Sequence, residues 1–295
     1  MMKHGVFSRP RRLGNGLRIV GITVFLSTGC VDQGKRIEQA SADPERPKPA
    51  PTRIEDRPPA PGTNRFKPRR VSLGRSVQGR PLECILLGEG RDCAFILATI
   101  HGDEDAGTEL VHELAAYLVD HPELIHGRRI VLMPNANPDG MANQTRGNAN
   151  GVDLNRNFPA SNFRESAKHG SSALSEPESV AIQRILHEHR PQRIVSIHQP
   201  LRYGTACIDH DGPAQGLALA MSRHTDIPVQ KIGSRPGSLG SYAGLTLDTP
   251  IITLELPKRV KGLDGKTLWR LYGDMMLAAI TYPQPLQTRA GDFVD

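Results

Sequence analysis

Three things are missing from this sequence, and each removes a class of function. No CxxC pair exists among its four cysteines, Cys30, Cys84, Cys93 and Cys207. That excludes a cysteine-ligated zinc module and a thioredoxin-like redox site. With Cys30 used elsewhere, at most one disulfide can form among the other three, and they read instead as buried free thiols. A long apolar run is also missing: the stretch from Ile19 to Leu26 is too short to cross a membrane as a helix. Finally, the folded part has no basic excess. The formal charge of +6 conceals 15 Lys+Arg against 6 Asp+Glu in residues 1–70, a balance of +9, and 22 against 25 in the remainder, a balance of −3. A nucleic-acid-binding domain carries its positive charge on the fold, so no nucleic-acid partner is expected. No internal repeat is present either.

The basic excess has another use. Lys3, Arg9, Arg11, Arg12 and Arg18 precede the short apolar run, which ends in Leu26-Ser27-Thr28-Gly29-Cys30. Residues 1–30 therefore read as an export signal. The ending resembles a bacterial lipoprotein signal, in which the cysteine is lipidated and becomes the new N-terminus. Ser27 stands where such signals usually have Leu; the plainer alternative is an ordinary secretory signal. Residues 31–70 hold eight prolines among many charges. Such a stretch cannot bury enough apolar surface to fold and reads as a semi-stiff tether. The expected location is exported, lipid-anchored through Cys30, in the periplasm or cell envelope. Residues 71–285 are the expected domain and 286–295 a tail.

Within the domain, strands alternate with helices. Val71 to Leu87 reads as two strands around Gln78-Gly79-Arg80. Cys93 to Ala98, Arg128 to Pro134, Arg193 to His198 and Pro250 to Leu256 read as further strands. Helices are expected at Asp105–Leu118, where Ala106, Leu110, Leu114 and Tyr117 recur at helical spacing, and at Ser175–Arg190, Gly216–His224 and Gly265–Tyr282. Ser175 and Glu178 read as a capping box with Pro177 in the first turn. Leu268, Leu271, Tyr272, Met275 and Ala279 form the apolar face of the last helix, and Trp269 packs in the core. The alternation indicates an α/β domain with a largely parallel central sheet.

Chemistry-bearing residues fall at the expected strand ends. His101 and Glu104 follow the strand Cys93–Ala98, where ligands in open α/β sheets collect. His198 ends another strand and completes a two-His, one-Glu set, which suits a catalytic zinc with one open position. Glu255 ends a third apolar strand between Leu254 and Leu256, and is the candidate base for a zinc-bound water. The polar loop Arg146 to Pro159 offers Arg146 and Arg156, whose planar donors suit an oxyanion and a carboxylate.

The order His101-x-x-Glu104, Arg146, Asn155-Arg156, His198, Glu255 resembles the zinc carboxypeptidase family. So does the opening Leu73-Gly74-Arg75-Ser76-Val77-Gln78-Gly79-Arg80-Pro81. The resemblance implies an α/β sandwich around a mixed, mostly parallel sheet of about eight strands with helices on both faces. It implies one Zn²⁺ per chain on His101, Glu104 and His198. Glu255 would be the base and later proton donor, Arg146 the oxyanion stabiliser, and Asn155 and Arg156 the hold on a substrate carboxylate. Asp153 looks like the partner that orients His101.

Digestive members carry a mobile tyrosine about twenty residues before the base; here Lys231 to Pro236 has none. Gly237-Ser238-Leu239-Gly240-Ser241-Tyr242 and Thr253-Leu254-Glu255-Leu256-Pro257 look instead like the murein peptide amidase branch, which cuts γ-D-glutamyl-diaminopimelate. Less specifically, so does Cys207 to Ala214. Tyr242 is expected to line the pocket without a catalytic role. Asp209 or Asp211 is a candidate for the ammonium at the far end of diaminopimelate. The expected function is a zinc metallopeptidase acting on peptidoglycan peptides or muropeptides, with no protein partner. The alternatives are a general metallocarboxypeptidase on peptide C-termini, a deacylase of small acyl-amino acids, and a non-catalytic cell-wall-binding module. Glu255 argues against the last, since a binder needs no base.

Overall fold

The strand expected at Cys93–Ala98 spans Asp92–Ala98 (β3) in the computed structural model, and its side chains explain the layering. Neighbouring residues of a strand face opposite sides. Cys93, Phe95 and Leu97 enter one apolar cluster, while Ala94, Ile96 and Ala98 enter a second. A strand apolar on both faces belongs inside a sheet covered on both sides. The structure describes residues 67–199 and 205–284. The expected signal peptide with Cys30, most of the tether and the tail at 286–295 lie outside the described residues.

Around β3 the sheet is built from β1 (Arg69–Arg75), β2 (Pro81–Leu87), β4 (Arg128–Met133), β5 (Arg193–His198), β6 (Cys207–Asp211) and β7 (Ile251–Glu255). The order is β1-β2-β4-β3-β5-β7-β6, seven strands among the described residues where the resemblance implies about eight. The four central strands β4, β3, β5 and β7 are parallel. β1 and β2 at one edge and β6 at the other pair antiparallel. Helices α1 (Ala106–Asp120), α4 (Gln215–Ser222) and α5 (Gly265–Thr281) cover the Ile96 face, and α3 (Pro177–His189) covers the Phe95 face. Cys84, Cys93 and Cys207 are buried free thiols, as expected, and burial pushes each up to about 11.

Local expectations failed in three places. The capping box at the start of α3 does not form. The Ser175 hydroxyl donates instead to Glu176 Oε1 at 2.7 Å, and Glu178 is drawn inward to accept from Asn148 Nδ2 at 3.0 Å. Leu271 is exposed, because it lies at the margin of the α5 stripe that buries Leu268, Tyr272, Met275 and Ala279. A short helix, α2 (Pro138–Asn143), lies where none was expected; the Asn137 side chain caps it by accepting from Gly140 N at 2.9 Å. Trp269 is half-buried and packs against the Ile96-side core.

The turn after β3 is tightly constrained. Thr99 is fully buried with φ of 55°, a strained value for a β-branched residue, and its hydroxyl is fixed 2.7 Å from that of Thr108 on α1. Three residues on, Gly102 lies flat against α2: a Cβ there would come within 1.9 Å of the Gly140 carbonyl carbon. Only glycine allows the turn that carries His101 and Glu104 to approach α2 this closely. Gly102→Ala should therefore cost about 1–3 kcal/mol of stability and weaken zinc binding about tenfold or more. Denaturant midpoints and a zinc-chelator titration check this; a variant that matches wild type in both contradicts it.

Candidate active site

The parallel register assembles the site. Ala98 of β3 pairs with Ile197 of β5, and His198, the last residue of β5, pairs with Glu255, the last residue of β7. Three strand ends thus lie side by side, with His101 and Glu104 on the turn just beyond the first. His101 Nδ1 lies 3.0 Å from Glu104 Oε1. His198 Nδ1 lies 2.9 Å from Glu104 Oε2 and 3.2 Å from His101 Nδ1. All three side chains are buried.

The outer ring nitrogens have partners that can accept their protons. His101 Nε2 meets Asp153 Oδ1 at 3.1 Å, a carboxylate that can only accept. His198 Nε2 meets the Ser196 hydroxyl at 3.0 Å. With protons on Nε2, both rings turn Nδ1 lone pairs toward one point, and a carboxylate faces the same point. Such a set repels itself unless a metal ion or protons lie between. Tetrahedral zinc with bonds of about 2.0–2.1 Å sets its ligands about 3.4 Å apart, close to the spacings found. The donor set fits zinc and leaves one position open.

The charges around this point are tightly coupled. Burial opposes the imidazolium of His101, but Glu104 and Asp153 outweigh it and raise the pKa. Burial opposes the carboxylates of Glu104 and Asp153 too. Glu104 is nonetheless held below the usual carboxylate range by His101 and His198. Asp153 is held low by His101 and then the Arg146 and Arg156 guanidiniums.

Asp153 is central because it serves two elements at once. Its side chain caps the short 3₁₀ turn Leu154–Arg156, accepting from Asn155 N at 3.0 Å, and it also accepts from Arg146 Nε at 2.9 Å. Arg146 Nη1 donates to Glu104 Oε1 at 3.2 Å. The loop carrying these residues is pinned by Asn148. Its Oδ1 accepts from Asn150 N and Val152 N, and its Nδ2 donates to Glu176 and Glu178.

Glu255 stands next to the triad with Leu254 and Leu256 fully buried on either side. Its Oε2 is buried and has no hydrogen-bond partner among the described residues. Burial pushes its carboxyl up, with Glu104 acting the same way and His198 opposing. A cavity of about 520 Å³ opens over His101, Glu104, His198 and Glu255. Arg146, Asn155 and Arg156 are on its wall. Asn155 Oδ1 accepts from Leu239 N at 2.9 Å, and Arg156 Nη1 donates to the Asn155 carbonyl. Burial lowers the pKa of Arg156.

Tyr242 is a correction: it does not line this cavity. It is buried beneath the π-helical turn Ser241–Thr246, stacked on Phe158 at 6.1 Å between centroids, with its hydroxyl 3.1 Å from His187 Nε2 on α3. The segment before it reaches the wall through Ser238 and Gly240 instead. Asp209 and Asp211 both reach the wall, because β6 carries them on alternate positions beside β7. Arg235 also lines it and had no signal in the sequence beyond its place in the tyrosine-free segment.

Comparison with known proteins agrees with this geometry. The zinc carboxypeptidase family model matches residues 66–208. Murein peptide amidase A of Escherichia coli strain K12 is 36% identical over 214 residues, covering 65% of this chain and 83% of that protein. The enzyme of the same name from Vibrio campbellii is 32% identical over 207 residues, covering 63% and 79%. The crystal structure of murein-tripeptide amidase from Escherichia coli O157 superposes with a TM-score of 0.58 at 31% identity, covering 75% of this chain and 95% of that one. A two-His, one-Glu set at the ends of parallel strands, with a carboxylate and an arginine beside it, is thus carried on a fold shared with these hydrolases. The chain belongs to the zinc carboxypeptidase family.

Proposed function

We propose that this chain hydrolyses the amide between γ-D-glutamate and diaminopimelate in peptidoglycan-derived peptides, as an exported enzyme held at a membrane by lipidated Cys30. The observation that carries the chemistry is Glu255: a largely buried carboxylate with an oxygen unpartnered among the described residues, one strand away from His198. A binding module has no use for a desolvated base there. The substrate rests on the similarity to two murein peptide amidases and on the absence of tyrosine from Lys231–Pro236. The location rests on the sequence of residues 1–30 alone.

His101, Glu104 and His198 would hold zinc. When bound, zinc supplies a water of lowered pKa and an electrophile for the scissile carbonyl. Glu255 takes the proton of the attacking water and returns it to the leaving amine. Arg146 donates to the oxygen of the tetrahedral carbon; losing such a donor typically costs about a hundredfold or more in rate. Asp153 keeps His101 turned and Arg146 aimed through its two oxygens. Arg156 grips the carboxylate next to the cut bond by two parallel hydrogen bonds.

Four outcomes test this. Wild-type protein should release diaminopimelate from L-Ala-γ-D-Glu-meso-diaminopimelate, read by mass spectrometry. Glu255→Gln should keep zinc and bind the tripeptide yet turn over at least about a hundredfold more slowly; turnover like wild type would mean another base. Elemental analysis should find one zinc per chain in wild type and little in His198→Ala, and full occupancy in that variant would remove the ligand assignment. Cys30→Ser should leave the membrane fraction; unchanged processing and fractionation would favour a plain secretory signal.

A further inference from the structure

We propose that Asp209 and Arg235 read the far amino-acid head of diaminopimelate, Asp209 taking its ammonium and Arg235 its carboxylate, so that Arg235 separates this substrate from lysine. The inference rests on the amidase reading above. Its starting point is the register between β6 and β7: Cys207 faces Glu255, Asp209 faces Thr253, and Asp211 faces Ile251. Side chains two apart on a strand share a face. Glu255, Thr253 and Asp209 therefore line one wall, and all three border the cavity. The row of Asp209 lies two residues from Glu255, about 7 Å along the strand. The two stereocentres of diaminopimelate are joined by three methylenes, about 5 Å when extended. A substrate with its scissile bond at Glu255 places its far head near that row.

Asp209 is only 5% exposed. Its Oδ1 accepts from the backbone N–H groups of His210 and Ile232 at 2.9 Å and Gly233 at 3.4 Å. Its Oδ2 forms no hydrogen bond among the described residues. A carboxylate sunk this far, with one oxygen uncommitted on a cavity wall, is stabilised by an incoming cation. Asp211 is no rival, since Lys231 Nζ lies 2.6 Å from its Oδ1 and the Ser234 hydroxyl donates to its Oδ2. Arg235 is exposed, and its guanidinium makes no hydrogen bond or ion pair among the described residues. It borders the same cavity as Arg156, close enough that its charge opposes that of Arg156. One carboxylate follows the cut bond and is assigned to Arg156. A second free guanidinium calls for a second carboxylate, and diaminopimelate has one where lysine has only hydrogen. Lysine carries its ammonium on the same carbon, so Asp209 serves both substrates and Arg235 makes the distinction.

Four tripeptides of the form L-Ala-γ-D-Glu-X separate the two roles, with X being meso-diaminopimelate, its far-carboxyl amide, lysine or norleucine. For wild type, kcat/KM should fall about tenfold or more from the free acid to the amide, and again from lysine to norleucine. Arg235→Ala should abolish the first preference and keep the second. Asp209→Asn, which retains an oxygen for the backbone N–H groups, should abolish the second and keep the first. Zinc content and Tm show whether each variant is folded; Arg235→Ala is an exposed change and stands as the test even if Asp209→Asn misfolds. Folded variants that keep both wild-type ratios overturn the assignment while leaving the amidase reading intact. A wild type that cleaves none of the four overturns the amidase reading, and this assignment falls with it.

Discussion

The parallel register of β3, β5 and β7 is the constraint on which everything at the site depends. It places His198 and Glu255 in the same row and sets the turn carrying His101 and Glu104 beside them. Each strand is fixed in register by apolar side chains on both faces. Slipping any one by a residue would exchange its two faces and turn a ligand or the base away from the cavity. The catalytic geometry is therefore maintained by Ile96, Ile197 and Leu254 in the core as much as by the polar residues themselves.

Around that row, the polar groups are arranged so that few of them move alone. Glu104 meets both histidines, Arg146 and the backbone N–H of Gln199, while Asp153 meets His101 and Arg146. Arg146 therefore bridges the ligand carboxylate and the orienting carboxylate. A guanidinium held by two anions is aimed with little freedom to swing, which suits a donor to a developing oxyanion. Glu255 differs in having an uncommitted oxygen, as a group that must accept and release a proton requires. Asp209 differs in the same way further along the wall, and there the free oxygen suits binding instead.

Much of this was legible in the sequence because strands buried on both faces announce themselves. Asp92–Ala98, Arg193–His198 and Ile251–Glu255 are apolar runs ended by chemistry, and their boundaries were found to within a residue or two. β6 was harder: Cys207-Ile208-Asp209-His210-Asp211 looks too charged for a strand, because one of its faces forms a cavity wall. The capping box failed because Asn148 competes for Glu178 across a loop that no local pattern connects to α3. Tyr242 was misplaced for a related reason. Its neighbours Ser238 and Gly240 do reach the cavity, but the π-helical turn carries the ring into the core, and a turn of that kind has no sequence periodicity. That Asp209 rather than Asp211 is uncommitted depends on Lys231 and Ser234, twenty or more residues away.

The account stands or falls on what the three buried donors at the strand ends hold. X-ray absorption at the zinc edge on the purified protein reads this directly. The account predicts two imidazole nitrogens at about 2.0–2.1 Å, with the remaining close ligands all oxygen. A spectrum with sulfur in the first shell, or one lacking the imidazole multiple-scattering signature, would contradict it.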